Sequence, residues 1–369
     1  MAWLLVACGR PAVLNPTPTQ TIVLSPSITS TVSPTTSQTP TSTASPIPSA
    51  SPTRTATTTL TPTLSPLGSF TTRLLRSGVE PQGYLTDQCF HLKMRWSPDD
   101  SRPGTVVVPI MFHSIVQDGR EVADPARDIT VEQFNNFVGY ANFLGFKTIT
   151  TQALLDFLTS NASIPQYSMM IIVDDRRPGL IRDRLMPVLE EYDWTATSAY
   201  IAEPDSLPWA WDLMEQLYTT GRLDVQSHGS TGRVYIYPST PLDQIENEIL
   251  NSTAVLEEHF GTRPIAFIWP GGDFTQLSVE IARQGGYQLG FTAYSRGPLM
   301  FNWIPLGESE RAVNDPLMVL PRVWSSAANA NLDEAVKISA QAAAYAEENF
   351  PEEASWYHTY CGGEITDSR

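Results

Sequence analysis

The chain has 369 residues, of which 41% are hydrophobic, and a formal net charge of −16. This is enough apolar material for one large domain. The acidic balance argues against nucleic acid as a partner, because phosphate binding needs a Lys/Arg-rich surface. A neutral or cationic glycan is compatible with this charge, and solubility alone would also explain it.

The first residues contain Leu5-Val6-Ala7-Cys8, which resembles the lipobox at which bacterial lipoproteins are cleaved and lipid-modified. By this resemblance, residues 1–8 are a truncated lipoprotein signal and Cys8 carries the lipid anchor. Residues 9–70 are rich in Ser, Thr and Pro, so we interpret them as a disordered stalk. We therefore expect an extracytoplasmic protein that is anchored in the membrane at the surface of a bacterium.

Two other cysteines, Cys89 and Cys361, flank the region with regular strand and helix patterns. An exported chain could pair them in a disulfide, whereas a reducing compartment would leave both thiols free. The sequence leaves both states open. Residues 71–104 form an N-terminal extension in this interpretation, and residues 331–369 form a C-terminal helix and tail.

Alternating strand and helix patterns begin near residue 105 and continue to about residue 330. Thr130 and Gln133 have the spacing of a capping box, and Thr240 with Pro241 predicts a second helix start. Seven or eight strand-helix units in one run predict parallel strands that close into an α/β barrel. We predict strands at residues 106–112, 146–150, 168–173, 197–201, 223–228, 264–268, 289–293 and 318–324.

Polar residues follow several of these strands directly. His113, Asp174, Asp175 and His228 each stand where a predicted strand ends, and such ends converge on one rim of a parallel barrel. Carboxylates and imidazoles are typical ligands of zinc, which activates water while a neighbouring acid takes its proton. The pattern therefore predicts hydrolysis of an amide or ester, although Asp174 and Asp175 could also cap a helix.

Four segments in this order resemble the polysaccharide deacetylases, the NodB-homology group of carbohydrate esterase family 4, in an exported lipoprotein-like branch. This resemblance implies a distorted (β/α)7 barrel over residues 105–330 and a polysaccharide substrate. The segments are Ile110-Met111-Phe112-His113, Ile172-Val173-Asp174-Asp175, Ser227-His228-Gly229-Ser230 and Trp269-Pro270-Gly271-Gly272.

The resemblance also implies roles for single residues. Asp174 would be the catalytic base, and Asp175 and His228 would bind a divalent metal, with zinc as the expected ion. Four residues would bind the substrate or orient a group of the site: His113, Trp269, Pro270 and Arg322, of which Arg322 would orient Asp174. Other roles stay open for three of them. His113 could replace the missing metal ligand or hydrogen-bond a backbone carbonyl. Trp269 could simply pack in the core, and Arg322 could form an outward salt bridge.

The chain departs from the family pattern at several positions. Arg176 follows the acid pair where the family has Gly, and Gly232 stands where the family has its second metal-binding histidine. The late Leu-x-His that supplies a general acid is absent, since His358 is the next histidine after His259. We expect a metal-dependent hydrolase that removes N- or O-acetyl groups from a surface polysaccharide. The alternative is an impaired homologue that binds glycan or another surface partner.

Overall fold

A computed structural model describes residues 67–117, 119–203 and 207–367. The predicted lipobox with Cys8 lies outside these residues, as does the predicted stalk up to residue 66. The strands are β1 (Glu80–Gln82), β2 (Val106–Phe112), β3 (Ser114–Val116), β4 (Asp128–Thr130), β5 (Lys147–Thr148), β6 (Tyr167–Asp174), β7 (Ala196–Tyr200), β8 (Leu223–Ser227), β9 (Ala266–Ile268), β10 (Leu289–Phe291), β11 (Ile304–Leu306) and β12 (Val323–Trp324).

The helices cover much of the sequence between these strands. Two π-helical turns, at Ile181–Leu185 and Asn247–Asn251, each join two consecutive α-helices. The helices are α1 (Gln88–Arg95), α2 (Val131–Phe143), α3 (Thr151–Ser160), α4 (Pro178–Leu180), α5 (Met186–Tyr192), α6 (Pro208–Tyr218), α7 (Leu242–Glu246), α8 (Ser252–Phe260), α9 (Gln276–Gln284), α10 (Glu308–Val313) and α11 (Ala328–Cys361).

The main sheet is parallel and curled. Its strand order is β10-β9-β8-β7-β6-β2-β12, and β5 pairs with the first half of β6. The two outer strands approach each other through a parallel bridge between Phe291 and Leu320. This arrangement confirms the predicted α/β class, a distorted (β/α)7 barrel, in which the carboxyl ends of all strands lie on the same side.

Strand β2, which lies between β6 and β12, is buried along its whole length, as expected where helices cover a parallel sheet. The predicted capping box of α2 is present, because Thr130 and Gln133 bond each other's backbone N–H groups. The start predicted at Thr240 is wrong by one position: Pro241 is the N-cap and α7 begins at Leu242. The hydroxyl of Thr240 instead donates to the carbonyl of Tyr235 and closes a loop.

The last predicted strand is shorter than expected. Only Val323–Trp324 pairs with β2, since Pro316–Met318 forms a 3₁₀ turn and Pro321 has no N–H to donate. Leu320 still contributes the single bridge to β10. Arg322, one of the predicted site residues, lies directly before β12.

The N-terminal extension packs on the C-terminal helix. Leu92 and Trp96 of α1 form a small core with Ala346 of α11, and the indole N–H of Trp96 donates to Glu353 at 2.6 Å. A disulfide joins Cys89 to Cys361, one of the two states that the sequence left open. Among the described residues, no helix combines the length and hydrophobicity needed to cross a bilayer.

Candidate active site

The carboxyl ends of three strands and the residue before a fourth strand meet at a cavity of about 180 Å³. His113 follows β2, Asp174 ends β6, His228 follows β8 and Arg322 precedes β12. All four side chains line the cavity together with Asp175. The topology of the parallel sheet thus brings the polar residues at its strand ends into one site.

Asp174 is buried and held by a cation. It is only 2% exposed, and Arg322 Nη1 lies 2.6 Å from its Oδ1. The Nε of Arg322 donates to the carbonyl of Thr292, which fixes the guanidinium. Burial alone raises the pKa of Asp174, but the attraction of Arg322, His228 and His113 outweighs it and lowers that pKa below its ordinary value. Asp174 is therefore a charged hydrogen-bond acceptor at neutral pH.

His113 lies beside this carboxylate. Its Nε2 is 3.6 Å from Asp174 Oδ2, and its ring stacks on Trp324 with centroids 5.4 Å apart. Burial lowers the pKa of His113, and the attraction of Asp174 and Asp175 only partly offsets this. The imidazole is thus neutral near pH 7 and faces the cavity.

Asp175 and His228 face each other across the cavity. Asp175 has a φ of 69°, a left-handed conformation that is uncommon outside glycine. Its Oδ1 lies 3.9 Å from His228 Nε2, while its Oδ2 accepts from Arg177 at 3.1 Å. The Nδ1 of His228 lies 2.8 Å from the carbonyl of Ile268 and donates to it, so Nε2 is the ring nitrogen that faces Asp175.

Comparison with known proteins identifies the fold. Residues 163–290 match the model of the polysaccharide deacetylase family, and this match includes Asp174, Asp175 and His228. The chain carries a polysaccharide deacetylase-family domain. No curated protein sequence matches the chain.

Solved structures of deacetylases resemble this domain. A deacetylase from Streptococcus pyogenes in complex with acetate is 19% identical, with a TM-score of 0.52 over 63% of this chain and 99% of that chain. A polysaccharide deacetylase from Bacillus cereus is 18% identical, with a TM-score of 0.50 over 63% of this chain and 69% of that chain. At these identities the likeness establishes the fold.

The deacetylase family generally uses a divalent metal, but the described residues do not fit one. In residues 67–117, 119–203 and 207–367, no group of three or more His, Cys, Asp and Glu side chains is placed to hold a metal ion. Asp175 and His228 are two ligands at most, and Arg177 already engages Asp175. Asp175 and His228, the two ligands that the resemblance implies, do not by themselves complete a tetrahedral zinc site.

Packing around Gly232 explains why the third ligand is missing. Gly232 has a φ of 63°, and a Cβ on it would lie 2.4 Å from Cδ1 of Ile201. The isoleucine thus occupies the space of a side chain at position 232. Glu248 holds this loop in place, because its buried carboxylate accepts the backbone N–H of Thr231 and of Gly232 at 3.0 and 2.5 Å.

Trp269 and Pro270 are not among the residues that line this cavity. Trp269 is fully buried and its indole N–H donates to the carbonyl of Met318 at 2.8 Å. Of the two roles considered for this tryptophan, the structure supports packing in the core and does not support direct contact with a sugar. Gly271, the next residue, lines the cavity instead.

The sequence patterns did not indicate that Arg127, Tyr235 and Trp324 also line the cavity. Trp324 could have been found, because it is two residues from Arg322 in a predicted strand and so lies on the same face. Arg127 and Tyr235 lie outside helices and strands, where no periodic pattern reports the direction of a side chain.

Proposed function

We propose that this deacetylase-family cavity binds an acetylated polysaccharide and turns it over far more slowly than a complete metal site would. The observation that carries this proposal is the glycine at position 232, where the family has a metal-binding histidine and where an added Cβ would lie against Ile201. Two protein ligands do not define the tetrahedral geometry of a catalytic zinc. The family relationship supports the class of ligand, an acetylated polysaccharide.

The cavity offers partners for an acetamido sugar. The charged carboxylate of Asp174 can accept N–H or O–H donors, and the neutral ring of His113 adds a nitrogen beside it. Trp324 and Tyr235 contribute aromatic surface to the same cavity, against which the acetyl methyl group can pack. Recognition therefore needs no group other than the side chains of this chain.

Slow hydrolysis is a second candidate function, favoured by the position of the ionised Asp174 carboxylate in the cavity. Asp174 would take a proton from water as the water oxygen bonds to the acetyl carbon. The carbon–nitrogen bond then breaks, the proton passes to the leaving amine, and acetate is released. A base works best with a pKa near the working pH, so the lowered pKa of Asp174 makes it a weak base.

Calorimetric titration with a hexamer of N-acetylglucosamine, in the presence of EDTA, tests this proposal. We expect saturable binding with acetate release far slower than one turnover per second, and we expect His113→Ala to weaken binding by about tenfold through loss of a buried contact. His358→Ala is the matched control, because His358 is exposed on α11, and it should bind like the unmodified protein. Absence of binding would refute the proposed function, as would turnover at the roughly 1–10³ per second typical of enzymes.

We further propose that the protein acts outside the cytoplasm, held in a bacterial membrane by a lipid on Cys8. The disulfide between Cys89 and Cys361 supports an oxidising compartment. Mass spectrometry of the protein from the membrane fraction of its native bacterium should find an N-terminal Cys8 that carries diacylglycerol. An unmodified, internal Cys8 would contradict this location.

A further inference from the structure

Another buried ion pair joins the loop after β10 to helix α10. Arg296 and Glu310 are 3% and 4% exposed, and Arg296 Nη1 lies 2.8 Å from Glu310 Oε1. Burial lowers the pKa of Arg296 to about 10 and the attraction of Glu310 opposes this, so the guanidinium is charged at pH 7. Apolar residues of similar volume often stabilise a core as well as such a pair does. Stability alone therefore does not account for these two charges.

The guanidinium of Arg296 cross-links several parts of the chain. Besides its contact with Glu310, its Nε donates to the carbonyl of Pro305 in β11 at 3.0 Å. Its Nη1 also donates to the hydroxyl of Thr292, which follows β10, at 3.0 Å, and its Nη2 donates to the carbonyl of Val319. Only the planar fork of an arginine presents donors in all these directions at once.

Thr292 and Val319 lie on opposite sides of the seam where the outer strands of the barrel approach each other. Main-chain bonds cross this seam from Leu320 N–H to the carbonyl of Gly290 at 2.7 Å and from Thr292 N–H to the carbonyl of Leu320 at 2.9 Å. The hydroxyl of Thr292 donates to the same carbonyl of Leu320. Arg296 thus spans the seam, with a nitrogen bonded on each side of it.

Thr292 connects this ion pair to the candidate active site. Its carbonyl accepts the Nε–H of Arg322 at 2.8 Å, and Arg322 Nη1 lies 2.6 Å from Asp174 Oδ1. Thr292 and Arg322 are 0% and 1% exposed, so neither has room to move independently of its partners. We call the chain of contacts from Glu310 through Arg296, Thr292 and Arg322 to Asp174 the arginine relay.

We propose that Arg296 and Glu310 are positioning residues of the site, which lock Thr292 at the seam so that Arg322 stays on Asp174. Glu310 holds the guanidinium of Arg296, and Arg296 holds the hydroxyl of Thr292. The effect of the arginine relay on ligand binding rests on the proposed function, in which Asp174 accepts a hydrogen bond from the acetylated sugar. The relay itself is defined by contacts within the protein.

Hydrogen exchange of the Arg322 Nε–H, followed by NMR, tests the arginine relay without a ligand. The signal is identified by its absence in Arg322→Met. Arg296→Lys keeps the buried charge but not the fork, and Thr292→Val removes the hydroxyl. Each should speed this exchange by about tenfold, the loss of one buried hydrogen bond. Backbone amides of β2 are the internal reference, because global destabilisation would speed their exchange equally.

Arg283→Lys is the matched control for Arg296→Lys. Arg283 pairs with Asp315 at 2.7 Å and donates to the carbonyl of Gln288 at 3.0 Å, and its bonds within the described part of the chain do not reach the arginine relay. This variant should leave the exchange of the Arg322 Nε–H unchanged. Unchanged exchange in both Arg296→Lys and Thr292→Val would overturn the proposal, as would equal acceleration in Arg283→Lys.

Titration with the N-acetylglucosamine hexamer connects the arginine relay to recognition. Arg296→Lys should weaken hexamer binding by about three- to tenfold and should have no further effect when Arg322 is already methionine, because both changes act through the same guanidinium. Additive weakening would show that Arg296 acts independently of Arg322 and would overturn the positioning role. If the unmodified protein does not bind the hexamer, the proposed function fails, and the exchange measurement still decides whether the arginine relay holds Arg322.

Discussion

Replacing Arg322 by methionine is expected to lower the free energy of unfolding by about 3–5 kcal/mol, because the change leaves a buried carboxylate without its cation. Asp174 and Arg322 are 2% and 1% exposed and lie 2.6 Å apart. Urea denaturation of the Arg322→Met variant at pH 7 measures the effect.

The double variant Asp174→Asn/Arg322→Met is the control, since it removes both charges. It should recover most of the lost stability, because a buried neutral pair costs far less than one buried charge. A loss below about 1 kcal/mol in Arg322→Met, or equal losses in the single and double variants, would contradict a buried ion pair.

The pH dependence of this pair has a definite sign. The pKa of Asp174 is lower in the folded protein than in the unfolded chain, so the pair stabilises the fold at pH values above the ordinary Asp range. This contribution is lost as the pH falls through the lowered pKa. The difference between the unmodified protein and Arg322→Met should therefore shrink in acid.

A second large effect is expected when the missing ligand is restored. The double variant Ile201→Ala/Gly232→His should bind zinc roughly a hundredfold or more tightly than the unmodified protein, because a third ligand completes the site around Asp175 and His228. Shortening Ile201 removes the Cδ1 atom that would lie 2.4 Å from the new Cβ. Histidine also tolerates the left-handed conformation at position 232 better than most residues.

Each single variant is a control for this gain. Gly232→His alone should lose about 1–3 kcal/mol of stability through overpacking against Ile201, with little gain in zinc affinity. Ile201→Ala alone should leave zinc binding unchanged. A competition assay with a zinc-sensitive dye measures all four proteins, and equal affinities throughout would show that Gly232 does not limit metal binding.

The fold and the site differ in how far the sequence predicts them. Parallel strands place their following residues on one rim, so His113, Asp174 and His228 could be assigned to one site from strand patterns alone. Sequence spacing cannot report contacts between distant segments. The family resemblance, rather than spacing, predicts that Arg322 orients Asp174; the close contact between them and the burial of Trp269 depend on how β12 and the loop before it pack.

The sequence also could not show what surrounds Gly232, the position of the absent metal-binding histidine. Gly232 is visible as a departure from the family pattern, but only the packing reveals that Ile201 fills the space next to it. Likewise, Cys89 and Cys361 are 272 positions apart. Their pairing follows from the contact of α1 with α11, which no local pattern describes.

The central claim, recognition of an acetylated glycan without a complete metal site, is tested most directly by the zinc content of the purified protein, measured together with acetate release. After dialysis against about 1 µM zinc, we predict well under one zinc per chain and no steady release of acetate from the N-acetylglucosamine hexamer, with saturable hexamer binding retained. One zinc per chain, with steady acetate release that is lost in Asp175→Ala, would contradict the claim.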